Sequence, residues 1–97
     1  MAVYKKLTGA GDTTILAKGS SGRSNISKIL ITNADASNAT TIRLYIDDAT
    51  NEYNIVNTKI PPLTSLVLED NLKFNAAKYD LKINLSGAGY DITVIVQ

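Results

Sequence analysis

The sequence contains no histidine, no cysteine and no tryptophan. Without histidine or cysteine, Ser-His-Asp and Cys-His catalytic arrangements cannot be assembled, and most zinc sites are excluded. A disulfide framework is excluded too, although small secreted domains of this size usually depend on one. That absence points to folding in a reducing cytoplasm, with stability drawn from strand pairing, packing or assembly. Long runs of one charge are also missing. Ten basic residues stand against nine acidic ones, interleaved along the chain. The electrostatic footprint of a nucleic-acid binder is therefore lacking, and no nucleic-acid partner is expected. No apolar run approaches the roughly 20 residues that span a bilayer. The N-terminal MAVYKKLTG has no apolar signal region, so neither membrane insertion nor signal-directed secretion is expected.

What is present reads as one globular domain. A chain of 97 residues that is 44% hydrophobic supports a modest two-layer core over residues 1–97 and leaves little room for a deep cleft. The dominant pattern has period two, the signature of strands with one buried and one wet face. Ile42, Leu44 and Ile46 alternate with Thr41, Arg43, Tyr45 and Asp47; Tyr79, Leu81, Ile83 and Leu85 alternate with Asp80, Lys82 and Asn84. Tyr90, Ile92, Val94 and Val96 repeat the pattern, with Ile95 on the opposite face. The connection Ser86-Gly87-Ala88-Gly89 between the last two runs predicts a β-hairpin.

Further strands are expected at Val3 to Leu7, Thr13 to Ala17, Ser27 to Thr32, Tyr53 to Lys59 and Leu66 to Leu68. Ile29-Leu30-Ile31, apolar on both faces, suits a central strand, and the Asn- and Thr-rich 53–59 stretch suits an edge. Pro61-Pro62 cannot lie inside a central strand and marks a crossing between elements. One helical turn around Leu72 and Phe74 is the single departure from β structure. The expected fold is all-β, a β-sandwich or jelly-roll-like arrangement of about eight short antiparallel strands.

The remaining chemistry is that of carboxylates, lysine, serine and tyrosine, and each candidate has a plain structural reading. Asp47, Asp48 and Glu52 around a turn could pair as acid and base or hold calcium, but they lack the spacing of an EF-hand loop. They, with Glu69 and Asp70, read as solvated turn residues. Gly9-Ala10-Gly11-Asp12 and Gly19-Ser20-Ser21-Gly22-Arg23 lack the Gly-Lys-Ser/Thr ending of a phosphate loop and read as hairpin turns. Ser27 and Lys28 are strand neighbours whose side chains diverge. No cofactor is implied. Tyr45, placed outward by alternation beside Arg43, joins two residue types enriched at interface hot spots.

The run Ile60-Pro61-Pro62-Leu63-Thr64-Ser65-Leu66-Val67-Leu68, then Tyr79 to Ser86, then Gly87 to Val96, resembles small virion proteins of tailed bacteriophages. Ile29 to Asn33 and Thr41 to Asp48 share the resemblance, which spans residues 26 to 97. It implies a β-sandwich without catalytic residues that decorates a capsid as a cement protein, or sits in a tail or fibre, including as a receptor- or glycan-binding module. The implied setting is the virion, and the implied partners are the major capsid protein or other virion proteins, with many copies or a homo-oligomer. Residues 1–25 lie outside the resemblance and are expected to form an arm or hairpin exchanging contacts with a neighbour. The candidate contact residues are Tyr4, Lys18, Arg23, Arg43 and Tyr45.

Overall fold

Alternating apolar residues need a second layer to cover them, and the chain supplies it by dividing its strands between two sheets. The computed structural model describes residues 3–19, 25–69, 72, 73, 75 and 77–97. In order, β1 is Val3–Leu7, β2 Gly11–Leu16, β3 Asn25–Ile26, β4 Ile29–Asn33 and β5 Thr40–Asp47. They are followed by β6 Glu52–Ile60, β7 Thr64–Leu68, β8 Leu72–Lys73, β9 Asp80–Gly87 and β10 Ile92–Val96. The first sheet has the order β1-β10-β4-β7 and the second β2-β9-β5-β6, while β3 and β8 form a two-stranded ribbon. All pairings are antiparallel. With β3 and β8 set aside, the eight long strands have jelly-roll order, and apart from β5 and β6 the paired strands are not consecutive in sequence.

The inner faces meet in one core. Ile31, Val94 and Ile92 of the first sheet and Ile42, Leu44, Leu81 and Ile83 of the second are fully buried. Burying each such side chain contributes about 1.5–3 kcal/mol relative to leaving it exposed. β4 is central in its sheet and β6 is an edge, as the composition of those segments requires. The Pro61-Pro62 segment carries the chain from β6 in one sheet to β7 in the other.

The predicted hairpin between β9 and β10 is not one. These strands lie in opposite sheets, and Gly87 to Asp91 form an arch over the end of the sandwich. Hairpin and arch share their local signals, alternating strands joined by glycine, and differ only in whether the strands pair edge to edge or face each other across the core. Gly87 and Gly89 both have left-handed φ, 122° and 63°. A Cβ on Gly89 would collide with the side chains of Asn38 and Asp35. The arch is fixed by Tyr90, whose hydroxyl donates to the Gly87 carbonyl at 2.8 Å, and by the Ala34 amide, which donates to the Asp91 carbonyl at 2.9 Å.

β1 and β2 likewise pair with β10 and β9 rather than with each other. The described part of the N-terminal segment is thus built into both sheets of its own chain. β5 and β6 are the one consecutive pair of described strands that hydrogen-bond to each other. In place of the helical turn expected near Leu72, Leu72–Lys73 pair with Asn25–Ile26; Phe74 lies outside the described residues. The buried side chain of Asn33 joins the loops at the arch end. Its Nδ2 donates to the carbonyls of Asn38 and Ile60, both at 3.0 Å, and its Oδ1 accepts from the Asp35 amide at 3.1 Å.

Candidate functional site

Each sheet turns one face outward, and the two faces carry different chemistry. On the second sheet, Asp12 of β2, Asn84 of β9 and Arg43 of β5 fall in one outward row. Tyr45 is paired with the outward-facing Lys82, so alternation places it outside as expected. It is nevertheless only 1% exposed. The Arg43 guanidinium lies over its ring, 3.9 Å from the centroid, a cation–π contact that seals the aromatic face. The Tyr45 hydroxyl donates to Asp12 Oδ1 at 2.7 Å, and Asn84 Nδ2 donates to the same oxygen at 3.1 Å. Arg43 Nη1 reaches Glu52 Oε1 and Asn54 Oδ1, both at 3.0 Å. Lys82 Nζ donates to Asp47 Oδ2 at 3.1 Å.

These contacts set the protonation of the face. The hydrogen bond from Tyr45, then that from Asn84, holds the Asp12 carboxyl below its ordinary value. Burial, followed by the hydrogen bond to Asp12, pushes the Tyr45 phenol upward. The hydrogen bond to Asp47 raises the Lys82 ammonium.

The acidic turn at the end of β5 is engaged with its own backbone. Asp47 Oδ1 accepts from the Ala49 amide at 2.7 Å, and Asp48 Oδ1 accepts from the Thr50 and Asn51 amides at 2.9 and 2.7 Å. Those amides are the leading cause of the lowered Asp47 and Asp48 carboxyls, with Lys82 adding to Asp47. Asp47, Asp48 and Glu52 therefore face separate partners, and among the described residues no three His, Asp or Glu side chains converge on a common point.

The first sheet is different. Cross-strand register places Tyr4 beside Ile95, Ile95 beside Leu30, and Leu30 beside Val67. This outward row crosses all four strands and is apolar throughout. Tyr4 is 70% exposed at one edge and Val67 43% exposed at the other, with half-buried Ile95 and Leu30 between them. The next outward row, Lys6, Thr93, Thr32 and Ser65, is polar, and Thr32 and Ser65 share a 3.0 Å hydrogen bond.

The expected contact residues thus separate. Tyr4 stands free on the first sheet. Arg43 is half-buried, stacked and ion-paired on the second, and Tyr45 beneath it offers a partner no surface. Lys18 is exposed at the opposite end from the arch, its backbone amide donating to Asp80 Oδ1 at 2.6 Å. Arg23 lies outside the described residues. Sequence reasoning set Ile95 on the face opposite the buried one but did not join it with Leu30 and Val67 into one surface row. The signal was in three triplets, Ile29-Leu30-Ile31, Val94-Ile95-Val96 and Leu66-Val67-Leu68, whose middle residues break alternation and fall into one row. Tyr53 and Tyr79 form an edge-to-face pair, centroids 6.0 Å apart, at the acidic-turn end.

No family model matches the sequence, and no curated protein matches it. A solved structure of a mitogen derived from Yersinia pseudotuberculosis is similar in fold. It is 13% identical, with a TM-score of 0.50, and the match covers 99% of this chain and 81% of that one. The likeness is one of fold: both are all-β sandwiches. No helix among the described residues is long and apolar enough to cross a membrane.

Proposed function

We propose that this chain is a non-enzymatic structural protein of a tailed-phage virion, a capsid decoration or cement subunit that holds neighbouring shell proteins together. One observation carries the reading: the apolar row Tyr4, Ile95, Leu30 and Val67 on the outer face of the first sheet. An apolar row that crosses a whole sheet face, with exposed Leu63 beside its Val67 end, is the kind of surface a protein partner covers. The resemblance over residues 26 to 97 supplies the virion setting, and the jelly roll is a fold used repeatedly in capsid proteins, although fold by itself assigns no function. Four strands about 4.8 Å apart, each about 17 Å long, give a face on the order of 300 Å², below the roughly 800 Å² per partner of a standard interface. Such a subunit acts through many modest contacts, and their number on a shell supplies the strength. Quantitative mass spectrometry of gradient-purified particles tests the assignment. The chain is expected at a copy number comparable to the shell protein's, and particles free of it would overturn the reading.

The Tyr53–Tyr79 pair favours a second reading, a tail or fibre module that grips a receptor or glycan. Tyr53 is exposed and Tyr79 half-buried, and an exposed aromatic ring at a sandwich end suits sugar stacking. Tyr53→Ala lowering adsorption of particles to host cells, with particle stability unchanged, would favour this second reading over the first.

A further inference from the structure

The two sheets have four edge strands, and they are not guarded alike. β1 carries adjacent lysines, and half-buried Lys5 occupies the inner row with Val94 and Ile31 at the sheet edge. β2 bears Asp12 and breaks register between Thr14 and Leu16. β6 bears Glu52 and Lys59 and breaks register where Val56 and Asn54 flank Ile55. Charges, inward-pointing lysines and bulges are devices that keep edge strands from pairing with other chains. β7 has none of them. Thr64-Ser65-Leu66-Val67-Leu68 is uncharged and holds unbroken register with β4 over all five residues. Apolar side chains collect along this edge: half-buried Leu66 and Leu68, exposed Val67, and Leu63, 72% exposed at φ 55°.

We propose that β7 pairs antiparallel with β7 of a second copy about a two-fold axis through Val67, fusing two first sheets into one of eight strands. Side-chain chemistry selects this register. Centred on Val67, it sets Val67 against Val67 and Leu66 against Leu68 twice, while Ser65 faces Glu69. Centred on Leu66, it would set Val67 against Ser65 and Leu68 against Thr64, and the outward apolar row would be broken. The occupant is a second copy because the strand is its own complement in this register. No like charges meet across the axis, and a net charge of +1 gives little self-repulsion. The row Tyr4, Ile95, Leu30 and Val67 then runs unbroken into its mirror sequence on the partner. The outward face doubles to on the order of 600 Å². This goes beyond the proposed function, because it concerns how copies pair in solution and does not depend on where they are used.

Sedimentation of the full chain over a wide concentration range tests it. The wild type is expected to pass reversibly from monomer to dimer. Val67→Lys sets two lysines directly opposite and raises the dissociation constant roughly tenfold or more, with circular dichroism and melting temperature unchanged. Val67→Glu behaves in the same way, and an equimolar mixture of the two variants recovers a heterodimer as lysine meets glutamate. Tyr4→Lys, in the same row but at the other edge, leaves dimerisation intact. A wild type that stays monomeric at millimolar concentration would overturn the proposal. So would a failure of the mixture to recover, or equal weakening by Tyr4→Lys, which would indicate face-to-face stacking instead.

Discussion

The outer faces of the two sheets make different use of the same residue type. Tyr45 on the second sheet is roofed by Arg43 and anchored to Asp12; Tyr4 on the first stands in solvent at the end of an apolar row. One face has closed its polar groups on one another. The other leaves its apolar groups uncovered. A closed polar network adds to the stability of the isolated chain and offers little to a partner, whereas an open apolar row does the reverse. Of the residues expected to make contacts, that contrast leaves Tyr4 open to a partner and Arg43 and Tyr45 closed over one another.

The sharpest way to break the comparison is to remove both tyrosine rings in turn. Tyr45→Ala is expected to lower unfolding stability by about 3–5 kcal/mol in urea titrations, the cost of deleting a buried aromatic. Tyr4→Ala should stay within about 0.5 kcal/mol, as for a free surface residue. Equal losses would erase the distinction between the faces.

Next in size is the hydroxyl. Tyr45→Phe removes the donor to Asp12 and is expected to cost about 1 kcal/mol, because the carboxylate is solvated and keeps Asn84. Acid dependence sharpens the point. Asp12, Asp47 and Asp48 all hold their carboxyls below the ordinary 3.8. As pH falls toward and through 3.8 the unfolded chain takes up protons that the folded chain refuses, so this stability, complete above about pH 5, is lost progressively below it. Melting curves from neutral pH down to about pH 2 should show that loss, less steeply in Tyr45→Phe and with unchanged slope in Val67→Thr. Smallest is Arg43→Lys, which exchanges a flat guanidinium for a point charge and should cost roughly 0.5–1 kcal/mol by the same titrations.

Much of the fold was legible because alternation is a local property. Val3–Leu7 was expected at its observed bounds, the edge role of the 53–59 stretch followed from its Asn and Thr content, and Pro61-Pro62 marked a true crossing. Pairing was not legible. Whether Gly87 to Gly89 close a hairpin or an arch depends on which strands flank β9 and β10, and those partners lie up to 93 residues away, as Val3 does from Val96. The second sheet's network was hidden for the same reason, since nothing local links Asp12 to Tyr45 across the intervening β9. The apolar row left a visible trace in its three triplets. At Ile29-Leu30-Ile31 that trace marks a central strand, as expected from the sequence; its continuation through Ile95 to Val67 on an edge strand shows only once the pairing is known.

The central claim is that the outer face of the first sheet is the surface by which this chain joins a virion. High-resolution imaging of intact particles tests it directly. The account predicts a jelly-roll density seated on the shell with Tyr4, Ile95, Leu30 and Val67 against the shell protein and the Arg43 face turned to solvent. A density seated on the Arg43 face, or particles without this chain, would contradict it.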